Sequence, residues 1–134
     1  MAIASLLCAA LIGGCGGTQR AADLFEVERT GTIPGAKLRL LVTDNGTVRC
    51  NGAPPRAMPG ELLVEARGLT EDLAAEAGKP LNAVPPTNSI YSFKVRMGAG
   101  TFDWQDGSLN LPQPFLEMSR LVRRIAKEAC GLTR

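Results

Sequence analysis

The feature that most constrains this chain is a switch of apolar period, made twice along its length. Phe25 and Val27 alternate with Glu26 and Glu28. Leu38, Leu40 and Val42 alternate with Lys37, Arg39 and Leu41, and Val48 and Cys50 continue the pattern. A period of two is that of a half-buried strand. From Pro59 the spacing changes: Leu62, Ala66, Leu69, Leu73 and Ala77 recur at four, three, four and four, which places them on one helical face ending near Gly78. Tyr91, Phe93, Val95 and Met97, then Phe102 and Trp104, return to period two across Gly98-Ala99-Gly100. Phe115, Met118, Val122, Ile125 and Ala129 close the chain at helical spacing. The order is β-β-β-α-β-β-α. The expected fold class is therefore α+β, an antiparallel sheet of about five strands with two helices packed on one face.

The connections fit that order. Thr30–Gly35 carries two glycines and a proline, and Asp44-Asn45-Gly46 predicts a type I′ hairpin. Asn51–Met58 reads as a connection without structure of its own, and the proline-rich stretch Lys79–Asn88 as the longest and most mobile loop. The acidic first helix and the basic last helix are expected to lie side by side.

Residues 2–14 contain no charge and are too few to span a bilayer as a helix. They fit the apolar core of a signal peptide. Leu11-Ile12-Gly13-Gly14-Cys15 resembles a bacterial lipobox. That resemblance implies cleavage before Cys15, lipid on its thiol and a domain held outside the cytoplasm on the bacterial cell membrane. Met1-Ala2-Ile3 lacks the usual Lys or Arg. The division expected is a leader over 1–14, lipidated Cys15 and a tether over 15–22, and one domain over 23–132. An apolar N-terminal helix is the competing reading, and the Gly-Gly-Cys-Gly-Gly stretch opposes it.

Cys8 leaves with the leader and Cys15 takes lipid, so Cys50 and Cys130 remain. Two thiols in an exported domain predict one disulfide. Two separate buried thiols are the alternative.

Chemistry is sparse. The 134 residues include no histidine, which removes Ser-His and Cys-His nucleophile pairs and the commonest transition-metal ligand. Net charge is +2 with no basic run, so no nucleic-acid partner is expected. Asp103, Asp106 and Glu117 are the best carboxylate group, and they read more simply as solvated surface. Arg120, Arg123, Arg124 and Lys127 are expected to face outward from the last helix, toward solvent or anionic lipid. Three residues stand as binding candidates. Ile33 and Pro34 sit in a Pro-stiffened turn, and a rigid apolar tip suits recognition; Trp104 offers a ring, although a core position explains it better. No cofactor, no metal and no catalytic set are expected.

Val27-Glu28-Arg29-Thr30-Gly31 with Ile33-Pro34-Gly35, the helix after Pro59, Tyr91-Ser92-Phe93-Lys94-Val95, Gly100-Thr101 and a closing helix together resemble the emfourin family, small inhibitors of thermolysin-like metallopeptidases. The lipobox, the cysteine pair and the longer proline-rich loop depart from that pattern. The resemblance implies a non-catalytic domain acting on a secreted peptidase. A structural or accessory envelope lipoprotein is the other expectation.

Overall fold

The computed structural model describes residues 22–133. The leader, Cys15 and the rest of the tether up to residue 21 lie outside them. Six strands form one antiparallel sheet. They are β1 (Asp23–Gly31), β2 (Leu38–Thr43), β3 (Thr47–Cys50), β4 (Arg56–Ala57), β5 (Tyr91–Met97) and β6 (Gly100–Gln105). In space they run β4-β3-β2-β1-β5-β6. The helices α1 (Gly60–Ala74) and α2 (Gln113–Glu128) complete the α+β fold.

Register puts the expected apolar phase on one face. Trp104, Phe93, Arg29 and Leu38 form a cross-strand row. Phe102, Val95, Val27, Leu40 and Cys50 form the next. Phe25, Val42 and Val48 form a third. Every member of these rows is buried. The helices cover them with Leu62, Ala66, Leu69 and Leu73 from α1 and with Phe115, Met118, Leu121, Val122 and Ile125 from α2. Glu65 of α1 and Arg124 of α2 form an ion pair where the helices lie side by side.

Cys50 and Cys130 are joined by a disulfide, Cα to Cα 5.9 Å, across 80 positions of sequence. Closing a loop of that length removes unfolded-state entropy worth roughly 4.5 kcal/mol as an upper figure. The same corner is tied by Arg56, whose guanidinium donates to the carbonyls of Ala129 and Cys130 at the end of α2.

Three local expectations are corrected. Asn51–Met58 contains β4, which pairs with β3 through Thr47–Ala57 and Val48–Arg56. At Asp44-Asn45-Gly46 only Gly46 has positive φ, 84°. With Gly46 N–H bonded to Thr43 O, this is a type I turn closed by a glycine bulge, not type I′. The paired positive φ that type I′ requires occurs at Asn51 and Gly52, 52° and 76°. Helix α1 ends at Ala74, so Ala77 lies beyond it and is exposed. The proline-rich connection is irregular as expected and carries an isolated bridge, where Val84 and Leu109 exchange two backbone hydrogen bonds of 2.9 Å.

One edge of the sheet is blunted, since β4 has only two residues. A short edge limits pairing with further strands.

Candidate functional site

Among the described residues one charge on the inner face of the sheet is buried, and it organises the neighbouring loop. Arg29 occupies an inward position of β1 and is 2% exposed. A guanidinium there must satisfy its donors within the protein. Its Nε donates to Ala36 O at 2.8 Å and its Nη2 reaches Gly35 O at 3.4 Å. Its Cζ lies 4.7 Å from the centre of the Tyr91 ring, within cation–π distance. Burial lowers the basicity of this guanidinium, Tyr91 opposes that effect, and the charge of Arg123 adds to it.

The carbonyls that Arg29 holds belong to the connection between β1 and β2. Ala36 N–H bonds to Ile33 O at 3.2 Å, and Gly35 has φ 78°. Ile33-Pro34-Gly35-Ala36 is thus a type II turn, with Pro at the second position and Gly at the third, where positive φ is required. Thr32 N–H bonds to Ile90 O at 3.2 Å and fastens the connection to the start of β5. Gly31 makes the close approach possible, because a Cβ there would collide with Ile90 O and lie 2.7 Å from Ala36 Cβ. Ala36 is buried beneath the turn. Ile33 is half-buried and Pro34 is exposed, while Ile90 beside them is 46% exposed. The result is an apolar tip whose backbone is fixed from below by a buried charge.

Trp104, the third candidate, is elsewhere. Its ring is buried, stacked on Phe93 at 5.2 Å and edge-on to Phe115 at 5.2 Å. Its Nε1 donates to Ser119 Oγ at 2.9 Å. Trp104 is therefore a core side chain, the better of its two explanations, and the structure does not bring it to the turn. Arg29, Tyr91, Gly31 and Ile90 complete the turn's support, and the sequence reading passed over that role. The available signal was Arg29 itself, a charge in the inward phase of Phe25-Val27-Arg29.

The outer face of the sheet holds a concavity of about 820 Å³ over β1–β3. Its charges largely answer one another. Arg39 binds Glu26 at 2.7 Å, and Arg96 reaches Glu28 at 3.2 Å and Glu26 at 3.8 Å. Arg96 beside it holds the Glu28 carboxyl below its ordinary value. Lys94 lies 3.8 Å from Asp103. Asp103 therefore serves a cross-strand pair, Asp106 sits in the turn after β6, and Glu117 accepts from Gln113 on α2. The three carboxylates are not assembled into a site. Among the described residues no cluster of three or more Cys, Asp or Glu could hold a metal ion.

Compared with protein-family models, with curated proteins and with solved structures, the chain matches none.

Proposed function

We propose that this chain is a non-catalytic binding module, tethered outside the cytoplasm by lipid on Cys15, and that the turn Ile33–Ala36 is its binding element. The observation that carries the reading is the pinning of that turn by Arg29. An exposed loop held rigid before contact loses little conformational freedom on binding, so more of the contact energy appears as affinity. Inhibitory loops work by the same economy. With the resemblance read in the sequence, the favoured target is a thermolysin-like metallopeptidase.

Titrating the full chain against such peptidases tests this directly. Stoichiometric inhibition that Ile33→Asp abolishes is the expected result. No inhibition at micromolar excess removes the inhibitor reading and leaves an accessory envelope lipoprotein as the alternative. Intact mass from a bacterial membrane tests the anchor separately. A lipidated chain beginning at Cys15 is expected; an unprocessed chain removes the tether.

A further inference from the structure

The turn has a charged neighbour. Helix α2 passes over the sheet with Ser119 above Trp104, whose indole it accepts. Trp104 belongs to the row that continues through Phe93 to Arg29. Arg123, one helical turn beyond Ser119 on the same side, is near enough to Arg29 to repel its charge. Arg120 and Lys127 stand three before and four after Arg123, so the three share a stripe. All three are exposed. Among the described residues none of them enters an ion pair or hydrogen bond. Arg124, on the α1 side, differs: it is engaged by both Glu65 and Glu128. Asp106 shares the end of the domain where the turn lies, so the surface is mixed in sign with cations in excess.

We propose that the turn and this stripe form one docking surface, fitted to a protein whose apolar pocket is rimmed by carboxylates. The proposal rests on the binding-module reading and names the partner's chemistry. Ile33, Pro34 and Ile90 supply the apolar contact; Arg120, Arg123 and Lys127 supply long-range attraction and orientation.

Position argues against the chain's own membrane as the occupant. β1 enters the sheet at Asp23, where Asp44 N–H bonds to Ala22 O. It ends at Gly31, eight residues on and roughly 26 Å away at strand rise, just before the turn. The seven residues from Cys15 to Ala22 span at most roughly 25 Å. The turn thus lies at the opposite end of β1 from the residue where the proposed tether joins the domain.

The test uses the full chain in detergent, with a thermolysin-like metallopeptidase as probe, over a range of ionic strength. The triple variant Arg120→Glu/Arg123→Glu/Lys127→Glu is compared with the wild type, and near-UV dichroism of Trp104 verifies that both fold. If the wild type inhibits, the triple variant should associate at least about tenfold more slowly at low salt and converge on the wild type near 1 M. Unchanged association overturns the docking surface and leaves the inhibitor reading standing. If the wild type does not inhibit, that reading fails alone. The surface is then judged by photo-cross-linking from positions 33 and 123 in host membranes. One acidic protein captured from both positions, and lost on charge reversal, supports it. No adduct, or adducts indifferent to charge reversal, overturn it. Binding to phosphatidylglycerol vesicles that the triple variant loses assigns the stripe to a lipid surface, and dimerisation that it loses assigns it to a second copy. Either result overturns the proposal.

Discussion

The two faces of the sheet use arginine in opposite ways. On the outer face Arg39 and Arg96 meet Glu26 and Glu28 in solvent, and each guanidinium has an alternative partner in water. Such pairs contribute little, because the attraction is screened and two long side chains must be ordered. On the inner face Arg29 is buried, its partners are fixed carbonyls, and an aromatic ring lies against it. The same side chain is thus nearly interchangeable on one face and shapes the backbone on the other. Burial, not charge count, decides which arginine matters.

Four predictions would break or sharpen this contrast, from the largest effect down. Phe93→Ala, which opens a cavity between Trp104 and Arg29 in their shared row, should cost about 3–5 kcal/mol in denaturant melts. A cost near zero would mean that the inner face is not packed as described. Arg29→Met keeps much of the stem but leaves Ala36 O without its donor, and should cost about 1–3 kcal/mol. Arg29→Lys should not restore the full value, because an ammonium does not reproduce the planar fork. Glu26→Gln on the outer face should cost about 1 kcal/mol or less, and the difference should shrink in high salt. The smallest effect is that of Glu28. Its folded-state pKa is lowered by the bond to Arg96, so its stabilisation is present above the ordinary carboxylate value of 4.5 and fades as pH falls through the lowered one. Glu28→Gln should flatten the acid limb of a stability–pH curve slightly; a steeper limb would contradict the assignment.

The strand and helix faces were legible because they repeat. Period two at Phe93, Val95 and Met97, or period 3.6 at Phe115, Met118 and Val122, averages over enough residues to outweigh local noise. β4 has two residues behind Pro54-Pro55, too few to show any period. The Asp-Asn-Gly turn was misassigned because glycine at one position serves a type I turn with a bulge as well as type I′. The cysteine pairing was legible by elimination, and Cys50 and Cys130 are bonded. The site was only half legible. Ile33-Pro34-Gly35 spells its own turn, but what holds that turn is long-range. Arg29 reaches Ala36 across the mouth of a hairpin, and Ile90, just before β5, approaches Gly31 from some sixty residues later. Trp104 left both readings open because a lone tryptophan has the same composition signature in a core as in a binding face, and it occupies the core position that the sequence favoured.

The central claim is that Arg29 holds the Ile33–Ala36 turn, the proposed binding element, rigid before any partner arrives. Backbone order parameters at Ile33, Gly35 and Ala36 test it most directly, in the wild type and in Arg29→Met. The account predicts values of about 0.85 in the wild type, equal to those of the strands, and a fall toward about 0.6 in the variant while the sheet stays rigid. A turn that is already flexible in the wild type, or one that remains as rigid without Arg29, would contradict it.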